Sequence, residues 1–185
     1  LAFKTVLADY PINRDSRKCD RLCHTFIARH LPGAGQLREI AATSRVNVIL
    51  ERVGDYAVTI CREALQVSSP VPKELSASID ALFDESISIF SEARKCFRNG
   101  SSETAITLMQ MANRVQSRMD DIYAILYDAG DHLDGTSKMA IFVVFSLLKR
   151  IADQAKNICE QTVYAQKGIA KLPKTYRILF LDQPG

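Results

Sequence analysis

The sequence repeats itself. Leu50-Glu51-Arg52-Val53-Gly54-Asp55-Tyr56-Ala57-Val58-Thr59-Ile60-Cys61 returns 98 residues later as Leu148-Lys149-Arg150-Ile151-Ala152-Asp153-Gln154-Ala155-Lys156-Asn157-Ile158-Cys159. Leu, Arg, Asp, Ala, Ile and Cys recur in register. Val46, Ile49, Val53, Ala57, Ile60 and Ala64 are spaced 3, 4, 4, 3 and 4, and Val144, Leu147, Ile151, Ala155, Ile158 and Thr162 repeat that spacing. This is the period of a helix with one apolar stripe. Small residues at Gly54/Ala152 and Ala57/Ala155 allow a neighbouring helix close approach. Self-similarity at a fixed offset predicts two copies of one helical unit. A shared core explains the stripe, but Arg52/Arg150 and Asp55/Asp153 lie off it.

The remaining elements fit two such copies. Leu1–Ala8 has helical composition, and Pro11 either sits in a first turn or kinks a long helix, because it lacks an N–H and clashes one turn back. The pattern continues through Ile12, Cys19, Leu22, Cys23, Phe26 and Ile27 and stops near His30-Leu31-Pro32-Gly33. Helices are expected over about 36–67, 73–97, 103–129 and 137–167. Ser68-Ser69-Pro70-Val71-Pro72 is the clearest boundary between them. The expected fold is all-α: two tandem antiparallel three-helix bundles, over 1–69 and 70–169, the first lacking its initial helix. The chain starts at Leu1, inside helical composition and without Met, so we expect a fragment. A helix of about 25–30 residues would precede it, or another chain would fill its place, since a two-helix hairpin leaves apolar flanks open.

Composition narrows the function classes. At 47% apolar and 24% charged residues, with 6 Pro and 8 Gly, the chain can bury a core and has long stretches free of breakers. The formal net charge is +3 without a concentrated basic block, which argues against a nucleic-acid footprint. The five cysteines (Cys19, Cys23, Cys61, Cys96, Cys159) are odd in number and form no CxxC, so reduced thiols in a cytoplasmic protein are expected. The apolar run Ile141–Phe145 is too short to cross a bilayer. No P-loop, Rossmann glycines or Gly-x-Ser-x-Gly elbow is present, and His24, His30 and His132 form no spaced set, so no catalytic constellation can be nominated.

The stretch from Arg45 to Ile60 resembles the PhoU family, whose signature helix reads Leu-Glu-Arg-Ile-Gly/Ala-Asp-His-Ala-x-Asn-Ile. Leu148–Ile158 is similar to the same signature. Ala8-Asp9-Tyr10-Pro11-Ile12-Asn13, Phe26-Ile27-Ala28-Arg29-His30-Leu31-Pro32 and Leu37-Arg38-Glu39-Ile40 follow the family's run in order. The resemblance covers about residues 1–167. It implies two three-helix bundles and a non-enzymatic regulator of phosphate transport and phosphate-starvation signalling. The implied partners are a phosphate-transporter ATPase and a sensor histidine kinase, with a homodimer expected, no nucleic acid, and a membrane reached only through those partners. Some members bind metals through acidic pairs, which would mean a divalent or ferric ion (Fe, Zn, Mn or Mg) here.

Glu51 and Asp55 lie one turn apart on one helix face and suit a hard or borderline cation. Asp9 and Asn13 match the family's other acidic pair, with Asn weakening the second position. The expected ligands are therefore Asp9, Asn13, Glu51 and Asp55. The second copy is weaker, with Asp153 and Asp121 (or Asp120) as candidates, Ser117 where an acid is usual, and Lys149 where the family has Glu. A Lys149–Asp153 ion pair is expected there, and local salt bridges for Arg52 and Arg150. The ordinary alternative for all these carboxylates is a solvated face. Cys19, Cys23, Cys61 and Cys159 read as buried small apolar residues rather than ligands.

Residues 170–185 change character. Lys171–Lys174 reads as a linker and Tyr176–Leu181 as a strand, either a packed tail or the first strand of a further α/β domain. That strand faintly resembles the opening of low-molecular-weight phosphatase or arsenate reductase domains, without their Cys-bearing loop. The alternative function is therefore a regulatory helical domain fused to such a domain.

Overall fold

A computed structural model describes residues 9–117, 119–128 and 132–168, and the expected strand at 176–181 lies outside them. The described chain is all helix and connecting turns: α1 (Asp9–His30), α2 (Ala34–Ala64), α3 (Lys73–Asn99), α4 (Ser102–Ser117), α5 (Met119–Asp128) and α6 (Gly135–Lys167). No described helix is long and apolar enough to cross a membrane. Pro11 lies in the first described turn of α1. The helix expected over 103–129 is described as α4 and α5, on either side of residue 118.

Local chemistry sets the other ends. Pro70 and Pro72 stand ahead of α3, which then runs unbroken to Gly100. Gly100 has φ 68°, a left-handed conformation that glycine adopts without strain, and so turns the chain out of α3. The Ser101 hydroxyl accepts from Thr104 N–H and begins α4. Asp134 caps α6.

α6 is the axis of the fold. It packs against α2, α3, α4 and α5, and fourteen of its residues are buried, including Leu148, Ile151, Ala152, Ala155 and Ile158. α2 runs antiparallel to it: Arg45 donates to Gln161 at 3.2 Å and lies over the Tyr164 ring, while Arg38 lies against Gly168. Stepping inward from these contacts brings Gly54 level with Ala152, which are also equivalent positions of the repeat. The two signature helices thus cross at their own equivalent residues, as in a two-fold. Val53 packs against the core that contains Ile151, so both stripes turn inward.

The copies are not equally buried. Along α2 only Ala42, Val46, Ile49 and Val58 are buried, and Ala64, expected in the stripe, is exposed. No described side chain of α1 is fully buried, because among the described elements α1 packs to any extent only on α2.

Candidate functional site

The α1–α2 seam holds the first candidate set. The Asp20 carboxylate accepts from the Ser44 hydroxyl at 3.4 Å, the Asn47 amide donates to the Ser16 carbonyl at 2.9 Å, and Ile12 rests on Gly54. These contacts fix an antiparallel register. Equal steps along both helices from Asp20 and Ser44 bring Asn13 level with Glu51, and Asp9 level with Asp55. Asn13 and Glu51 are half-buried and Asp55 is exposed, while the Asp9 side chain lies outside what is described. The seam here is polar, whereas the α6 core is almost wholly apolar. The spacing of 44, 47, 51, 54 and 58 puts Glu51 on the face of α2 turned to α1.

Chemically, this level offers oxygens only: the carboxylates of Glu51 and Asp55 and the amide of Asn13. Oxygen donors at the rim of a helix pair suit Mg, Mn or ferric iron better than a thiophilic ion. By donor type these side chains suit the expected metal. Among the described residues no group of three or more His, Cys, Asp or Glu side chains is clustered for a metal.

The second copy differs. Lys156 donates to Asn113 at 2.8 Å and ties α6 to α4, and stepping along α4 from it brings Ser117 near the level of Asp153. The side chain of Asp121 lies outside what is described. The expected Lys149–Asp153 ion pair is not among those of the described residues, and Asp153 is engaged in another interaction. Arg52 and Arg150, expected in local salt bridges, are both exposed and make none among the described residues. Two long exposed side chains gain little from pairing in water and lose rotamer freedom, so their outward heads stay solvated.

The thiols divide. Cys96 and Cys159 are buried, but Cys19, Cys23 and Cys61 are half-buried rather than buried as expected. Burial pushes the Cys159 thiol up to about 12, with Cys96 and Glu160 adding to it. Burial also raises Cys96, opposed by hydrogen bonds with Thr162 and Ser101.

A junction that sequence reasoning missed is centred on Asp134. Its carboxylate accepts from Ser137 N–H at 2.9 Å and from the hydroxyls of Ser69 (2.7 Å), Ser137 (2.8 Å) and Ser68 (3.0 Å). The Ser137 hydroxyl in turn accepts from Ser68 N–H at 3.1 Å. These donors, the Ser137 backbone first, hold the carboxyl far below the usual carboxylate range. The local half was legible, since Asp-Gly-Thr-Ser is a helix start. The capture of the Ser68-Ser69 linker, more than sixty residues upstream, had no sequence signal.

The geometry can be set beside known proteins. The PhoU domain family model matches residues 1–64 and 79–162, one segment in each copy. The phosphate-specific transport system accessory protein PhoU of Escherichia coli is 28% identical over 170 residues, covering 91% of this chain and 70% of that protein. PhoU homolog 1 of Thermotoga maritima is 25% identical over 171 residues, covering 91% and 74%. In fold, the chain is similar to the phosphate transport system regulatory protein PhoU of Streptococcus pneumoniae, with a TM-score of 0.82 at 22% identity, covering 93% of this chain and 82% of that one. PhoU of Pseudomonas aeruginosa gives 0.75 at 24% identity, covering 91% and 82%. With the family model matching both copies of the repeat over most of the chain, the chain belongs to the PhoU family.

Proposed function

We propose that this chain is a PhoU-type regulator of phosphate transport and phosphate-starvation signalling that acts through protein–protein contacts rather than catalysis. The observation that carries this reading is the family match across both copies of the repeat, the greater part of the chain. Its surface chemistry supports it: Leu22, Phe26 and Leu37 are large apolar side chains left exposed along α1 and α2, as expected of a helical surface that meets other chains. The partners under this reading are a phosphate-transporter ATPase and a sensor histidine kinase, which place the protein in the cytoplasm, and a second copy of the chain forms the homodimer. The α1–α2 level of Asp9, Asn13, Glu51 and Asp55 holds a divalent or ferric ion, whose part is to draw the two helices together at their polar end.

The deciding experiment is retention of a purified transporter ATPase or sensor kinase on the immobilised chain. Binding at micromolar concentration is expected, weakened by Leu22→Asp with Phe26→Asp. Retention of neither protein would overturn the regulatory reading.

A further inference from the structure

The thiols form two neighbouring pairs and one single residue. Cys96 and Cys159 adjoin across the α3–α6 contact, and that pair is sealed: both are buried, and Cys96 Sγ donates to the Ser101 carbonyl at 2.9 Å. Cys19 and Cys23 are differently placed. Residues four apart on a helix stand side by side on one face. Both are half-buried at the edge of the α1–α2 seam, within reach of solvent. We propose that Cys19 and Cys23 form a chelating dithiol site on α1 that captures trivalent arsenic, as arsenous acid or an organoarsenical.

The chemistry balances without a redox step. Two As–S bonds form as two As–OH and two S–H bonds break. Each thiol proton leaves with a hydroxyl as water, and the third substituent, a hydroxyl on arsenous acid or the carbon group of a hydrated organoarsenical, stays on a three-coordinate arsenic whose oxidation state is unchanged. The surroundings favour this acceptor over a divalent cation. A soft divalent ion in a closed site needs four ligands, and among the described residues no third His, Cys, Asp or Glu joins this pair in a metal cluster. His24 is turned to Asp20 at 3.5 Å, and Asp20 also accepts from Ser44. A cation must also displace both thiol protons, while burial, Cys19 and Asp20 all raise the Cys23 thiol. Arsenous acid is neutral and releases water rather than protons, so a protonated thiol beside a carboxylate is no obstacle to it.

The test titrates the full chain, kept reduced by a non-chelating phosphine, with arsenite and with phenylarsine oxide. Intact and peptide mass spectrometry then count and locate the adduct. One arsenic per chain, bridging Cys19 and Cys23, is expected. Cys19→Ser and Cys23→Ser should each lower affinity by about a hundredfold, the scale of a lost second tether. Cys61→Ser should bind as the parent, and affinity should be flat from about pH 6 to 8, below the usual thiol pKa. Circular dichroism of each variant separates a lost site from a lost fold. An adduct on Cys96–Cys159, unchanged affinity in either folded Cys19 or Cys23 variant, or affinity rising steeply with pH would overturn the proposal.

Discussion

α2 and α6 carry the same signature and have come to do different work. α6 is surrounded by four helices and buries its stripe completely from Leu147 to Thr162. α2 buries only part of its own stripe, and its outer face meets α1 through Ser16, Asp20, Ser44 and Asn47. The repeated apolar spacing specifies which face turns inward, but the number of neighbours decides how much that face contributes. The polar positions diverge the other way. The less buried copy keeps Glu51 with Asp55, while the more buried one has Lys149 beside Asp153.

Truncating the equivalent stripe residues tests this difference most directly. Ile151→Ala, in a core position that is 2% exposed, should destabilise the chain by about 3–4 kcal/mol. Val53→Ala removes fewer atoms from a half-buried position and should cost about 1 kcal/mol. Urea unfolding measures both, and equal costs would erase the asymmetry. The second contrast is chemical. Glu51→Gln and Asp55→Asn should each weaken binding of Mn or ferric iron by more than about tenfold, comparable to losing supporting groups of other metal sites. Asp153→Asn should leave it unchanged in equilibrium dialysis. Equal losses in both copies would show that Lys149 does not disable the second one.

A third contrast concerns the junction between the copies. The Asp134 carboxyl is held down in the folded chain, so its contribution is complete above the ordinary carboxylate pKa of about 4 and is lost as pH falls below that. Asp134→Asn should therefore flatten the acid limb of stability against pH and speed amide exchange at Ser68 and Ser69. An unaltered acid limb would show that the clamp is not linked to folding. The smallest effect is expected where the signature helices cross. Ala152→Gly should cost about 1 kcal/mol in helix propensity. Gly54→Ala gains a similar amount but sets a methyl 3.4 Å from Ile12, so its midpoint should barely move.

Much of this was legible in the residues. The 3–4 spacing located α2, α3 and α6 to within a few positions, and the match between copies foretold that Val53 and Ile151 both face the core. What escaped depended on non-local contacts. Cys19 and Cys23 follow an apolar stripe, but α1 has too few neighbours to bury them. Arg52 and Arg150 recur in register yet hold no ion pair among the described residues, so their recurrence does not come from a local bridge. At the candidate site, spacing put Glu51 and Asp55 on one turn, but only the Asp20–Ser44 and Ser16–Asn47 contacts reveal which part of α1 lies opposite.

The antiparallel crossing at Gly54 and Ala152 has an evolutionary reading. It makes the molecule resemble a homodimer whose protomers have been joined covalently. Fusion lifts the constraint that a mutation must be tolerable in two places at once. One half was then free to specialise as scaffold, while its twin retained an acidic surface that a symmetric assembly would have had to keep, or lose, twice.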